Sequence, residues 1–323
     1  MATDILTHPP LCPPPLARAP RAEAGGSAQW LCLAPAALQG ALVALVGRDT
    51  RALKLDDAQR LTHFPASPMV TLSWFDSPEV GMIAPDGWQR FGAQVVIAGS
   101  QSQPTVSWSP VAGRGYIACF TPDAAQVLFG VELAAIQNRF VPVAEVLDAR
   151  FAPLWTALLA SEDGAAMLAL LEQHLAPRWQ THLRAAGQAE HSEPGQTPGA
   201  PARAAQATLR QVGRHWIERL AWKVHGWRNQ HSARHVERRI KSFSGRSLRE
   251  WQALSRTESL FFAARDRYEA GQPFDWSTLA LDEGFSDQAH MSCTAHRISG
   301  FAPGAFAQRF IEDESFWLYR LWV

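Results

Sequence analysis

The sequence is short of the residues that mark several large function classes. Its four cysteines (Cys12, Cys32, Cys119, Cys293) lie far apart with no CxxC pair. They spell neither a disulfide framework nor a zinc pattern, and reduced thiols are expected. The eleven histidines include no HExxH and no Cys/His cluster, so no metal ligand is assigned. GxSxG, P-loop and GxGxxG runs are missing, so no catalytic residue is assigned and no cofactor is expected. No apolar run approaches a membrane span, the stretch 41–46 being far too short. The Pro- and Ala-rich N-terminus lacks the apolar centre of a secretion signal, which points to a cytoplasmic protein with no membrane partner. Finally, neither sign of charge is in excess, with 30 Lys and Arg against 30 Asp and Glu.

What is present is unevenly placed. Residues 210–256 hold twelve Lys and Arg and three acids, whereas 257–323 hold five basic and ten acidic residues. A basic block of this kind suits contacts to phosphate. Apolar residues make up 47% of the 323 positions, enough for real cores, and the length suggests two domains.

Taken in order, residues 1–28, with Pro9-Pro10, Pro13-Pro14-Pro15 and Gly25-Gly26, read as a flexible leader without a fold of its own. Residues 29–146 change to short apolar runs broken by Gly and Pro. Strands are expected at 68–75, 93–98, 105–108 and 115–120, which makes a small antiparallel barrel or sandwich. Helical spacing then takes over in 147–186, through Phe151, Leu154, Leu158, Met167, Leu171 and Leu175, with Pro177 interrupting or restarting it. Residues 187–205 read as a flexible linker, and 206–323 as an all-α unit ending in an aromatic tail that packs back on the protein. The expected fold class is α+β: a mostly β N-terminal part, helices, then an all-α C-terminal domain.

The stretch 274–303 organises that last domain. A short helix carrying Leu279 and Ala280 on its inner side reaches a tight turn at Gly284, and a second helix starts at Ser286 or Asp287. Phe285 fills the angle between the two. This is helix-turn-helix grammar, in which the second helix enters a DNA major groove. Leu279-Ala280, the run Gly284-Phe285-Ser286-Asp287-Gln288-Ala289-His290, and Gly300-Phe301-Ala302-Pro303 together resemble the signature of AraC/XylS-type transcriptional regulators. More loosely, Gly115 to Phe120, Thr121-Pro122-Asp123-Ala124-Ala125, Leu128-Phe129-Gly130-Val131 and Asn138-Arg139 resemble the sensor-like N-terminal domain of one branch of that family.

The resemblance implies a sequence-specific, double-stranded-DNA-binding regulator with two helix-turn-helix units. It further implies RNA polymerase, a small-molecule effector at the N-terminal domain, and a second copy of the chain as partners. For the helices after the barrel, dimerisation and packing within the chain are both open. The first unit is read at 232–241, where Ser232 caps and Val236 and Ile240 turn inward. DNA contacts are expected from Ser232, Ala233, Arg234, His235, Arg238, Arg239 and Lys241. In the second unit they are expected from Ser286, Gln288, Ala289, His290, Ser292, His296 and Arg297, where Gln288 suits an adenine edge.

Three departures stand out. Leu220-Ala221 lies too far upstream of Ser232, with Gln230 in the expected Gly place; either the turn is longer or the inward pair is elsewhere. Cys293 and Ala295 replace the family's Arg and large aromatic. Two rival readings accompany the regulator. One is a protein-interaction module with degenerate helix-turn-helix units, favoured by the acidic second unit. The other is a small-molecule enzyme, for which no paired acids or metal ligands are found. Arg256 reads as a structural buttress; Trp74, Trp88 and Trp108 read as core rather than as a pocket lining.

Overall fold

The computed structural model describes residues 12–22, 28–190, 217–218, 220–221, 224–228, 231–273 and 275–322. Ten strands are described: β1 (Ala28–Leu33), β2 (Leu42–Asp49), β3 (Thr62–Phe64), β4 (Val70–Phe75), β5 (Gly81–Ala84), β6 (Gly87–Arg90), β7 (Val95–Ala98), β8 (Thr105–Trp108), β9 (Arg114–Phe120) and β10 (Phe140–Pro142). They form a six-stranded sheet, β1-β2-β9-β4-β7-β10, and a four-stranded one, β3-β8-β5-β6. The pairings among the described strands are antiparallel, from β1 with β2 through β5 with β8.

Strand alternation gives the larger sheet two different faces. Val70, Leu72 and Trp74 of β4 are buried in the main core, while Thr71, Ser73 and Phe75 line a cavity on the other side. In β9, Tyr116, Ala118 and Phe120 join the core, and Ile117 and Cys119 face the cavity. The core face is covered by the helices Pro122–Phe129, Ala152–Ala160 and Gly164–Glu190, through Leu128, Leu154, Leu158, Leu171 and Leu175. Trp179 closes this layer, its indole N–H donating to the Gln39 carbonyl at 2.9 Å. The apolar stripe at 143–186 is therefore packed inside its own chain.

Two expectations about this region are corrected. Pro177 neither stops nor restarts the helix; it sits within the 27-residue Gly164–Glu190 element. Leu175, Ala176 and Trp179 are buried around it, and tertiary packing of these neighbours outweighs the one hydrogen bond that proline removes. The same helix runs four residues into the expected linker, whose remaining positions, 191–205, lie outside the described residues.

The C-terminal half consists of the helices Ala233–Ser244, Leu248–Glu269, Trp276–Asp282, Gln288–Ser299, Pro303–Glu312 and Trp317–Trp322. Its inner faces share a core with the sheet: Val43, Ala66, Met69 and Cys119 pack in one cluster with Ile217, Leu220, Val224, Val236, Ile240, Trp251, Leu254 and Ile298.

The leader is the third correction, because residues 12–22 are held by the other end of the chain. Arg309 donates to the carbonyls of Leu16 (2.5 Å) and Ala17 (3.1 Å) and to the Asp313 carboxylate (2.9 Å). Arg21 N–H donates to Glu312 O, and Glu314 N–H donates to Ala19 O. An extended, proline-containing segment leaves its own carbonyls unpaired, and they accept from the C-terminal helix end. The aromatic tail does pack back as expected: Trp317 donates to Thr62 Oγ1 at 2.9 Å, and Phe316 and Tyr319 stack among Phe301 and Phe306. His63 of β3 lies between Phe301 and Phe316, and burial there, with the charge of Arg309 beside it, pushes its imidazole down to about 3.

The tail's central ion pair joins Arg48 of β2 to Glu314 at 2.5 Å, with both side chains almost fully buried. Burial is the main reason the Arg48 guanidinium falls to about 10, against the opposing pull of Glu314. Truncating one partner leaves the other charge buried alone. Glu314→Ala is therefore expected to destabilise the protein by about 3–5 kcal/mol, measured by urea unfolding, while replacing the exposed Glu79, paired with Arg90 on the surface, shifts stability by about 0–1 kcal/mol.

Candidate nucleic-acid interface and the adjoining cavity

The two reading helices expected from sequence are built alike, each position of the second lying 55 residues after its counterpart (Ser232 to Asp287, Gly245 to Gly300). Each is a 12-residue helix, Ala233–Ser244 and Gln288–Ser299. Ser232 and Asp287 cap them, the side-chain oxygen accepting from the backbone N–H of His235 and His290 respectively. Gly245 (φ 88°) and Gly300 (φ 83°) end them in the left-handed conformation that favours glycine. The last residue repeats as well. Ser244 Oγ reaches the carbonyls of Ile240 and Arg246, and Ser299 Oγ those of Ala295 and Phe301.

Inward positions also match, with Val236 and Ile240 in the first helix and Met291 and Ala295 in the second, all buried. By the same offset Val224 stands where Leu279 stands, and both are buried. Of the two alternatives for the first unit, an inward pair elsewhere than Leu220-Ala221 is the one adopted: Val224 takes Leu279's place, and Leu220 is buried a turn earlier. Gln230 and the upstream positions Val212 and Trp216 lie outside the described residues.

Between the reading helices runs Leu248–Glu269, 22 residues and so about 33 Å long. A reciprocal Ser247–Glu250 capping box fixes its start. Arg256 on this helix lies 5.7 Å over the Phe285 ring, beneath the turn of the second unit.

Of the fourteen expected contact residues, Ser232, Ala233, Arg234, His235, Arg238, Arg239 and Lys241 are exposed, as are Ser286, Gln288, Ala289, His290, His296 and Arg297; Ser292 is half-buried. Several already have local partners. Lys241 pairs with Glu237 at 3.0 Å, Arg239 stacks 4.3 Å over Trp227, and Ser286 meets both Asp287 and His290 at 3.0 Å. Hydrogen bonds from the His290 N–H and the Ser286 hydroxyl hold the Asp287 carboxylate below its ordinary range, as a cap requires. His235, Arg238 and Arg239 also line an open cleft whose far wall is Gln126, Glu132, Leu133 and Ala134.

Sequence reasoning missed the cavity. It measures about 160 Å³ and lies between the two sheets, lined by Phe64 of β3, Thr71 of β4, Met82 of β5, Ser107 of β8 and Cys119 of β9. Leu254, Thr257, Glu258, Phe261 and Phe262 of the connecting helix close it, with Ile298, Phe306 and Tyr319. Small polar residues alternating with apolar ones in β4 were the available signal. Trp74, Trp88 and Trp108 do not line it; Trp74 and Trp108 are fully buried and Trp88 meets Trp108 edge-on.

Glu258 is the one carboxyl of this lining, which includes no Lys, Arg or His, and burial pushes it up to about 7. Cys119 rises to about 12 and the Tyr319 phenol rises further, both through burial, so neither ionises there. For Glu258 the folded value lies above the unfolded one, so the group costs nothing at pH 4, and the cost grows as pH rises through 4.5 to 7. Glu258→Gln is accordingly expected to gain about 3 kcal/mol over the parent at pH 8 and almost nothing at pH 4, read from denaturant unfolding at the two pH values.

Among the described residues no group of three His, Cys, Asp or Glu side chains is placed to hold a metal, and no helix is long and apolar enough to cross a membrane. No family model matches the chain, and no curated protein matches it. Solved structures similar to it are of ToxT from Vibrio cholerae. An apo form has 9% identity and a TM-score of 0.37, over 76% of this chain and 93% of that one. A form bound to an unsaturated fatty acid has 9% identity and a TM-score of 0.32, over 78% and 92%. A form bound to (E)-4-(8-methylnaphthalen-1-yl)but-3-enoic acid has 10% identity and a TM-score of 0.31, over 76% and 97%.

Proposed function

We propose that this chain is a sequence-specific DNA-binding transcriptional regulator that reads the major groove with the helices Ala233–Ser244 and Gln288–Ser299. The observation that carries this reading is the 55-residue repeat of cap, inward pair and glycine stop, joined by a helix of about 33 Å. That length is close to the 34–36 Å rise of one DNA turn, so two such helices can address successive major grooves on one side of a duplex, about one turn apart. In the first unit Arg234 and Arg238 supply charge to phosphate, while Ala233, His235 and Arg239 are within reach of base edges. In the second, Gln288 and Ala289 present the base-reading surface and His296 and Arg297 the phosphate-facing one.

The cavity is the effector site in this reading. Its wall includes five residues of the helix that spaces the two units. Gly99 and Gln101 line it as well, and Ser100 between them abuts the first reading helix: a methyl group built on Gly245 would lie 3.0 Å from Ser100 Oγ. A ligand that alters the packing of these segments would bias the placement of both helices. Association with RNA polymerase and with a second copy of the chain belongs to the same reading.

Purified protein incubated with a genomic fragment library at two salt concentrations is expected to enrich a short motif made of two parts about one helical turn apart. Binding should weaken steeply with salt, and Arg234→Ala with Arg238→Ala should abolish enrichment and lower the salt slope by about 2. Absence of enrichment even at low salt would overturn the DNA reading. It would favour the interaction module, to which the acidic second unit points.

A further inference from the structure

We propose that the cavity between the two sheets takes a compact apolar amine, its protonated nitrogen paired with the Glu258 carboxylate and its carbon skeleton against Phe64, Met69 and Phe261. The proposal rests on reading the cavity as the effector site and adds the chemical class of the effector. Three observations carry it.

The first is the sign of the wall. Among the lining residues there is no Lys, Arg or His, and Glu258 is the single carboxyl. An anionic ligand entering here would place its charge beside Glu258 in an apolar enclosure with no cation to meet it, which burial makes severely unfavourable. A cation meets the opposite situation, since its charge offsets the cost of ionising Glu258 in that enclosure.

The second is a set of unpartnered polar groups. Glu258 is half-buried at this wall, and burial alone, with no charged or hydrogen-bonding neighbour contributing, raises its carboxyl; Arg256, two residues away on the same helix, lies over Phe285 instead. The Tyr319 hydroxyl, on a side chain only 6% exposed, and the Thr105 hydroxyl are buried at the wall with no hydrogen-bond partner. Buried polar groups are ordinarily satisfied. An ammonium carries three donors, and the wall offers it a carboxylate and hydroxyl oxygens as acceptors.

The third is size. At about 160 Å³ the cavity is in the range of an apolar cavity that takes up one six-membered ring. The remaining wall is mostly Phe, Met, Ile, Leu, Val and Pro with small Ser and Thr positions and one amide, Gln101, which suits a ring or branched hydrocarbon rather than a sugar.

Calorimetric titration of the full chain with cyclohexylmethylamine, cyclohexylmethanol and cyclohexanecarboxylate tests this, since the three share a skeleton and differ in charge. The amine is expected to bind at least about tenfold more tightly than the alcohol, and the carboxylate not measurably. Glu258→Gln should weaken the amine by about tenfold or more while leaving the alcohol within about twofold. Tyr319→Phe, a variant that keeps the ring packing, should weaken amine and alcohol alike by a few-fold at most. Equal binding of amine and alcohol, unchanged by Glu258→Gln, would overturn the proposal and leave the cavity as an apolar effector site. Preference for the carboxylate would overturn it in the same way. If none of the three binds, the effector-site reading falls with it, whereas motif enrichment by the same protein would still stand as an independent result.

Discussion

The buried pair between Arg48 and Glu314 is the constraint on which the arrangement of the two halves depends. Arg48 sits near the end of β2, one strand in from the edge of the larger sheet; Glu314 sits at the junction between the last helices. Neither can leave the other without exposing a desolvated charge. Around them Asp313, Arg309 and Arg320 take up the loose ends of the chain: Arg309 holds residues 16 and 17, and Arg320 donates to the carbonyls of Phe310 and Asp313. This polar knot brings the aromatic tail down onto β3, where Trp317 bonds Thr62. With the tail in place, Leu318 and Tyr319 become part of the cavity wall. The clamped C-terminus therefore supplies part of the cavity wall.

The shared core works to the same end from the other side. Cys119 and Met69 of the sheet region belong to one apolar cluster with Val236 and Ile240 of the first reading helix and Ile298 of the second. An apolar cluster that spans both halves cannot be separated without exposing those faces to water, at a cost of about 25 cal/mol per Å². The units proposed to read DNA are thus held by the body that encloses the proposed ligand. The cleft between Glu132 and the Arg238–Arg239 side adds a further point of contact between body and reading surface.

How much of this is legible in the sequence differs by region, for physical reasons. The second unit is written in local signals: the Asp287 cap, the Gly284 turn at φ 76° and the Gly300 stop each depend on neighbours a few residues away, and the helix bounds follow them. Strands β4, β7, β8 and β9 show in their apolar runs for the same reason. β1, β2, β3, β5, β6 and β10 are not among the expected strands: β3, β5, β6 and β10 are only three or four residues long, and β3 and β10 are strands through partners far along the chain, β8 and β7. The cavity is harder still. Glu258 reads locally as one more charged residue on a helix, and only the packing of that helix against the sheets makes it part of an apolar cavity wall. The leader's attachment is equally non-local, because residues 12–22 contribute mostly backbone carbonyls and N–H groups, with the Arg18 side chain, to a site that Gln308, Arg309, Asp313 and Glu314 build.

Ala295 shows how a departure from a family pattern can be read twice. In sequence, the small residue at a place where the resemblance implies a large aromatic looks like a loss from the second reading helix. In the fold, Ala295 is fully buried in a cluster with Phe261, Phe301, Phe306, Phe316 and Tyr319. Phe261 and Phe306 stack with ring centroids 3.9 Å apart, and Phe306 meets Phe316 and Tyr319 edge to face. These rings come from the connecting helix, the following helix and the tail, and they occupy the volume that an aromatic at 295 would need. A large residue there would overpack the cluster and push the tail outward. Pushing the tail outward would disturb Tyr319, and with it the cavity. The small residue is therefore consistent with a second unit that serves as a wall of the cavity as well as a presenter of its own exposed face, with the aromatic volume moved from the helix to the elements around the cavity.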